Sequence, residues 1–285
     1  MGRRHFSTLI LFLLFLIEIS AQQNPGAKSI SLANADVALN SDAFSLFTNP
    51  SGLAQMNWTE GGVFYSPSPF GVNELSNTFF AASIPTKYGS LGFGVTNYGF
   101  ELYKENKFVL AYANRYAKNF FYGLSLSLNH LSIKNYGQDN ALVFSLGALY
   151  YVSPDFRFAF TAYNLNKASW GKEKNQIPTV YKSGISYDVL QNVSLNLALE
   201  NEVGFNPSLQ CGINYDINEY FSLRSGFANE PTKYSAGFGI HYSQFEIDYA
   251  IFTHQELGLT HQFSVLFGLE TLENRADKIR KYLGF

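Results

Sequence analysis

The sequence has one cysteine and few charges, and both shortages exclude classes of protein. Cys211 is the only cysteine among 285 residues, so no disulfide can form within the chain and a disulfide-stapled scaffold is excluded. Charged residues make up 15% of the chain, and the formal net charge is −2. No basic cluster is present that could neutralise phosphates, so nucleic acid is not an expected partner.

Long hydrophobic runs are missing after the first 21 residues, which excludes a bundle of membrane helices, because each span needs about 20 apolar residues. The initial run is typical of a signal peptide over residues 1–21. Arg3 and Arg4 form a basic start, an apolar core extends over 9–17, and Ser20-Ala21 is a small-residue cleavage site. A plain secretory signal is favoured over a twin-arginine signal. We therefore expect the mature chain to act beyond the inner membrane.

Residues suited to catalysis or metal binding are also sparse. The five histidines, at positions 5, 130, 241, 254 and 261, lack the H-x-x-x-H spacing of a zinc site, and no G-x-S-x-G motif occurs. No catalytic residue, metal site or cofactor is predicted. A Ser-His-Asp group assembled only in space stays open, since it has no sequence signature. We expect a protein that is not an enzyme.

Aromatic residues and alternation are what the sequence has in plenty. Phe, Tyr and Trp make up 17% of the chain. From Trp58 onward, apolar residues recur at every second position, as in Leu195, Leu197 and Leu199. This period indicates strands with one apolar face. Fourteen segments show it: 58–66, 75–85, 89–97, 105–116, 120–134, 141–152, 156–165, 178–187, 193–202, 208–216, 220–228, 233–242, 245–256 and 261–270.

This strand count predicts an all-β fold, a transmembrane antiparallel β-barrel of about 14 strands. An even number of strands of about 9–11 residues, closed so that no edge is unpaired, suits an outer-membrane barrel. Short connections alternate with longer ones, which we place at 67–74, 98–104, 135–140, 166–177, 203–207, 229–232 and 257–260. Short turns face the periplasm in such barrels, so both termini are expected there.

Aromatic residues beside the short turns distinguish this barrel from a soluble β-sandwich, the alternative fold. A tyrosine precedes five of these turns, at positions 116, 151, 187, 215 and 242. A phenylalanine follows four of them, at positions 120, 156, 221 and 245. Such rings are expected to form an aromatic girdle at the membrane interface. The barrel is therefore predicted over residues 58–270.

The stretch 26–54 differs from everything after it and carries a recognisable motif. It begins Gly26-Ala27-Lys28-Ser29, passes through an aspartate, and closes with Asn49-Pro50-Ser51-Gly52-Leu53. This pattern resembles the N-terminal motif of the FadL-like outer-membrane proteins, most closely their PorV/PorQ branch. The motif residues are Gly26, Ser29, Asp42, Asn49, Pro50 and Gly52. The resemblance implies that residues 22–57 fold inside the barrel as a hatch, and a periplasmic linker is the alternative.

The predicted inner face of the barrel carries both charges and glycines. The charges are Arg157, Lys182, Glu200, Arg224, Glu246 and Asp248. Buried charges are expected to pair with each other or with a plug, which is favoured over a substrate site. Glycines on the same face, such as Gly92 and Gly147, permit close backbone approach.

Residues 271–285 form a polar tail after the last predicted strand, which we assign to the periplasm. Leu272, Ala276, Ile279 and Leu283 are spaced as one helical stripe. A short helix that docks on the barrel rim or on a partner, and a frayed terminus, are both compatible with this pattern.

The resemblance implies two functions for a protein in the bacterial outer membrane, where lipid is the expected partner. The first is an accessory role in type IX protein secretion, through contact with secretion-system proteins or secreted cargo. The second is passive transport of small hydrophobic ligands, as in FadL. The longest predicted outer loop has about a dozen residues, which is short for a family whose transport relies on long ligand-gathering loops. Loop size therefore favours the first function.

Overall fold

Fourteen antiparallel strands close into one barrel, which confirms the predicted fold class. The structure is a computed structural model that describes residues 25–171, 175–254, 258–272 and 275–284. The barrel strands are β1 (Glu60–Ser66), β2 (Asn77–Thr86), β3 (Gly89–Phe100), β4 (Tyr103–Ala117), β5 (Phe120–Ile133), β6 (Gly137–Ser153), β7 (Phe156–Tyr163), β10 (Val180–Leu190), β11 (Val193–Glu202), β12 (Ser208–Asn218), β13 (Phe221–Asn229), β14 (Thr232–Tyr242), β15 (Phe245–His254) and β16 (Gly258–Gly268). Two short strands, β8 (Ser169–Trp170) and β9 (Asn175–Gln176), pair with each other between β7 and β10.

Each barrel strand pairs with its neighbours in chain order, and β1 pairs with β16 to close the ring. Val63 lies opposite Val265 at this closure. The alternation of the sequence becomes the two faces of the wall: Leu195, Leu197 and Leu199 are 41–48% exposed on the outside. Large apolar side chains are exposed in this way on every barrel strand. An extended apolar surface such as this outer face is stable in contact with lipid but not in contact with water.

The connections differ in length at the two ends of the barrel. At the turn end, where β2 meets β3, two-residue turns join the strands. At the loop end, the longer connections expected at 98–104, 135–140 and 229–232 are wrong, because the strands continue into turns of two or three residues. Gly99 and Phe100, for example, lie opposite Lys104 and Tyr103 in the ladder. Longer connections remain at 67–76, 164–179 and 203–207 among those that the structure describes in whole or in part.

Most of the predicted girdle tyrosines face outward near the turn end, and one does not. Tyr116, Tyr187, Tyr215 and Tyr242 are exposed, whereas Tyr151 is 1% exposed inside the barrel. Tyr151 shares the parity of Gly147 and therefore the inner face of β6. Placing it in the girdle was wrong for this reason.

Residues 25–57, called the N-terminal segment below, contact the inner face of opposite walls. The segment contains short helices, Ala27–Ser31 and Ser45–Thr48, and the 3-10 helix Pro50–Gln55. The first of these contacts β13 to β16, and the third contacts β3 to β6. Three of its apolar side chains, Ile30, Leu46 and Leu53, are no more than 1% exposed. The hydrophobic core of the molecule therefore lies between this segment and the wall.

The C-terminal helix, Arg275–Leu283, packs against the turn end. Leu272, Ile279 and Leu283 of the predicted stripe are buried, but Ala276 is exposed and the buried position is taken by Arg275. No helix in the described part of the chain is long and apolar enough to cross a membrane. The predicted signal peptide, residues 1–21, lies outside the described residues.

Candidate functional site

The motif residues hold the N-terminal segment in shape through local hydrogen bonds. Asn49 caps the 3-10 helix, because its Oδ1 accepts from the backbone N–H of Ser51 at 3.2 Å. Its Nδ2 donates to the carbonyl of Val37 at 3.0 Å, which ties two parts of the segment together. The hydroxyl of Ser29 donates to Asp36 at 2.5 Å. Asn49 and Ser29 therefore fix the path of the chain.

The remaining motif residues are explained by backbone geometry and close packing. Gly26 has φ 103, in the left-handed region, just before the helix Ala27–Ser31. Pro50 occupies the first turn of its helix, where it has no N–H to satisfy. A Cβ on Gly52 would lie 2.6 Å from the carbonyl oxygen of Asn40. The oxygen Oδ1 of Asp42 accepts from the N–H of Phe44 at 2.9 Å.

Glycines on the inner wall lie where the N-terminal segment comes closest. A Cβ on Gly123 would lie 2.5 Å from the backbone nitrogen of Ser51, and one on Gly212 would lie 2.8 Å from the carbonyl of Leu32. Gly147 faces the side chain of Asn49 in the same way. Since β5, β6 and β12 each provide such a site, the wall is shaped to the segment on several sides.

A cavity of about 130 Å³ lies on the loop side of the N-terminal segment. We call it the loop-side cavity. Its apolar lining includes Leu46 and Phe47 from the segment and Phe79 and Val109 from the wall. Its polar lining includes Thr96, Lys107, Ser125, Ser145, Lys182 and Glu200. Two of the predicted inner charges, Lys182 and Glu200, form an ion pair here at 2.9 Å.

The other predicted inner charges lie toward the turn end in two groups. Arg224 pairs with Asp248 and lies 3.9 Å from Glu246. Arg157 pairs with Asp188 instead of with another predicted residue. All of these predicted charges are buried, with Glu246 at 0% exposure.

Arg275 joins the barrel, the N-terminal segment and the C-terminal helix at one point. Its guanidinium lies 2.9 Å from Glu60 on β1 and 3.0 Å from Glu246 on β15, and it donates to the carbonyl of Ser41 at 2.8 Å. Glu60 also accepts from the indole N–H of Trp58 at 2.9 Å. A buried carboxylate pair thus has a cation between its members, which compensates the cost of burying them.

A second cation of the C-terminal helix, Arg280, binds the far side of the rim. It contacts Asp155 at 3.0 Å and Asp188 at 2.9 Å. The helix end is held as well, because Arg115 on β4 donates to the carbonyl of Leu283 at 3.0 Å. The helix therefore extends across the turn end from β1 and β15 to β4 and β10.

A cavity of about 310 Å³, the turn-side cavity, lies beneath this helix. Its lining is charged and includes Lys28, Arg157, Asp188, Arg224, Glu246 and Arg275. The two cavities share no lining residue, and the N-terminal segment contributes to both. Nothing in the described residues gathers three or more His, Cys, Asp or Glu side chains into a cluster that could hold a metal ion.

Asp42 is a titratable residue of the N-terminal segment, and the pKa of its carboxyl differs from the usual value. It is 3% exposed, and burial raises the pKa of its carboxyl to about 7, although Lys28 and Arg275 lower it in part. Near neutral pH the carboxyl is therefore partly protonated.

Glu60, Asp188, Arg275 and Arg280 were missed by the sequence analysis. A signal for Glu60 was available, because it has inward parity on the first predicted strand. Arg275 and Arg280 lie in the tail, where the helical stripe was the only pattern and indicated apolar contacts.

Comparison with known proteins bears on the fold. No protein-family model matches the chain, and no curated protein matches its sequence. Solved structures do match. The chain is similar to the CymD monoaromatic hydrocarbon channel, with a TM-score of 0.67 and 14% identity over 88% of this chain and 98% of that one.

Two further structures agree with this match. The Ralstonia pickettii toluene transporter TbuX gives a TM-score of 0.65 and 13% identity, over 86% of this chain and 98% of that one. A Pseudomonas aeruginosa FadL homologue gives 0.59 and 10%, over 87% and 97%. The chain thus has the fold of FadL-like channels. The PorV/PorQ branch of the resemblance stays a prediction.

Proposed function

We propose that this chain is an outer-membrane channel through which small hydrophobic molecules cross passively, with the N-terminal segment as its hatch. The observation that carries the proposal is the loop-side cavity, which lies between Phe47 of the segment and Phe79 and Val109 of the wall. Its volume of about 130 Å³ is close to that of an engineered protein cavity, about 150 Å³, that binds benzene. Similarity in fold to hydrocarbon channels supports the same function.

This proposal reverses the order of the two functions implied by the sequence. The short loops favoured a secretion accessory protein, but no contact or cavity among the described residues favours secretion-system proteins or cargo as partners. We therefore do not propose an accessory role in protein secretion.

Passage through such a channel requires movement, because the N-terminal segment separates the two cavities. A molecule bound in the loop-side cavity lies on Leu46 and Phe47, and the turn-side cavity lies beyond the segment. We propose that the segment shifts to let the molecule through. We also propose that the signal peptide exports the chain across the inner membrane, and that the barrel lies in the outer membrane with both termini in the periplasm.

A bulky substitution in the loop-side cavity tests the proposal. Val109→Trp should fill the cavity, whereas Leu110→Trp places the same ring on the outer face, where Leu110 is 59% exposed. We expect the unmodified protein to accelerate accumulation of labelled toluene in intact cells of a diderm host without such a channel. Val109→Trp should return the rate to background, and Leu110→Trp should leave it unchanged.

Folding of each variant is checked by the shift of its band on boiling in SDS, which folded outer-membrane barrels show. Equal accumulation with and without the folded, unmodified protein would contradict the proposed function. Equal rates for the two tryptophan variants would place the route outside the loop-side cavity.

A further inference from the structure

The loop-side cavity has a polar wall that a hydrocarbon would leave unused. Ser125 on β5 and Ser145 on β6 lie directly opposite each other, and both line the cavity. Thr96 lines it from β3. Among the described residues, no side chain or backbone group forms a hydrogen bond with these three hydroxyls. They are therefore available to a molecule in the cavity.

Two other hydroxyls that line the cavity, those of Thr161 and Ser127, already form hydrogen bonds within the protein. Thr161 donates to the carbonyl of Leu146 at 3.0 Å, and Ser127 donates to Asn129. Asn129 in turn donates to the hydroxyl of Tyr163 at 3.4 Å. This difference between bonded and unbonded hydroxyls matters because a polar group that is shielded from water and forms no hydrogen bond raises the free energy of the folded state. An apolar occupant would impose that cost on Ser125, Ser145 and Thr96.

The onward route is polar as well. The turn-side cavity is lined by buried ion pairs, including those that Arg157 and Arg275 form. A pure hydrocarbon would gain nothing from this lining. A molecule with a polar group could form hydrogen bonds with it.

We infer that the molecule carried by this channel is a small neutral amphiphile, with an apolar body about the size of one aromatic ring and a hydroxyl group. The ring lies against Phe47, Phe79 and Val109, and the hydroxyl reaches Ser125 and Ser145. This inference rests on the proposed function and narrows its substrate class from hydrocarbons to phenol-like compounds.

Phenol and toluene test this inference, because they differ by a hydroxyl in place of a methyl group. Binding of each labelled compound to the folded, detergent-solubilised protein is measured by equilibrium dialysis. We expect phenol to bind at least as tightly as toluene, although toluene is the more hydrophobic. In the double variant Ser125→Ala, Ser145→Ala, the ratio of the two affinities should move about tenfold toward toluene, as the loss of hydrogen bonds to the ligand predicts.

The matched control is Ser83→Ala. Ser83 lies on the inner face of β2, its hydroxyl is buried without a partner, and it does not line the cavity. Its substitution should leave the ratio unchanged. Tighter binding of toluene, with a ratio that the double variant does not alter, would overturn the amphiphile inference and leave the channel intact. Absence of binding by either compound would overturn the proposed function itself.

Discussion

The exposure of a residue in this barrel depends on the face of the wall on which it lies. Leu197 and its neighbour Ala198 are adjacent on β11, yet Leu197 is 46% exposed and Ala198 is 2% exposed. The same parity explains why Tyr151 is inside although it stands beside a short turn. The cost of introducing a charged side chain should therefore depend on whether the substituted residue faces outward or inward.

Leu197→Arg should lower the free energy of unfolding by about 2–4 kcal/mol, because it places a charge near the middle of the lipid-facing side of β11. Leu269→Arg is the control: Leu269 is 64% exposed, has the outward parity of Phe267 and lies just past the turn end of β16, where the cost should be about 0–1 kcal/mol. Urea unfolding in liposomes measures both. Equal costs would mean that the bilayer does not centre on Leu197.

Asp42 should make the packing of the N-terminal segment depend on pH. Its pKa is about 7 in the folded protein and near 3.8 when unfolded, so the unfolded chain loses its proton first as pH rises. The stability contributed by the neutral carboxyl is thus complete below about pH 4 and is lost as pH rises through 7. The thermal midpoint should be lower at pH 8.5 than at pH 5.5.

The variant Asp42→Asn keeps the acceptor for the N–H of Phe44 and removes the ionisation. Its midpoint should change less between the two pH values than that of the unmodified protein. If both proteins respond equally to pH, a group other than Asp42 is responsible.

The C-terminal helix is the element whose contacts with the barrel were least predictable from the sequence. Its apolar stripe predicted a contact face, and Ile279 and Leu283 do supply one. Its attachment, however, rests on Arg275 and Arg280, which bind carboxylates from distant parts of the chain. Arg275 and Glu60 are 215 residues apart.

Arg275→Met should destabilise the protein by about 3–5 kcal/mol, because Glu60 and Glu246 would then be buried without their shared cation. Lys281→Met, on the exposed side of the same helix, should stay within about 0.5 kcal/mol. Chemical unfolding compares them. Adding Glu246→Gln to Arg275→Met should recover part of the loss, and failure to do so would show that the ion pair contributes little.

The strands could be predicted from the sequence, but the distance to which they extend at the loop end could not. The reason is physical. Lipid demands an apolar side chain at every second position, so alternation marks the part of a strand within the bilayer. Beyond it, residues such as Gly99 and Lys104 continue the ladder, and no alternation is required. Inner charges could be placed on a face from parity, but their partners could not. Pairing depends on the register between strands and on how far a side chain reaches, and Arg224 of β13 reaches past β14 to Asp248 of β15.

At the scale of the whole molecule, segments before and after the strands contact the barrel at its inner face and at its turn end. A ring of fourteen strands is too wide for wall side chains alone to fill. Residues 25–57 contact its inner face on both sides, and the C-terminal helix spans its turn end.

Deletion of residues 26–54 should therefore convert a silent barrel into an ion-conducting one in planar bilayers. Wall glycines and the charges of the turn-side cavity would then face water. Removing residues 271–285 as well should raise the conductance further, since it uncovers the turn end. An intact protein as conductive as the deletion variant would show that the segment is a periplasmic linker, the alternative left open by its sequence.

The pairing of β1 with β16 makes closure of the ring depend on segments that are far apart in the sequence. Tyr65 meets Phe263 at this seam, so the ring cannot close before these two strands meet. The helix Ala27–Ser31 precedes every strand in the sequence, yet it contacts β13 to β16. Arg275 connects Glu60 on one side of the seam to Glu246 on β15, beyond β16. The C-terminal helix can therefore form both ion pairs only when the closed ring holds β1 and β15 close together.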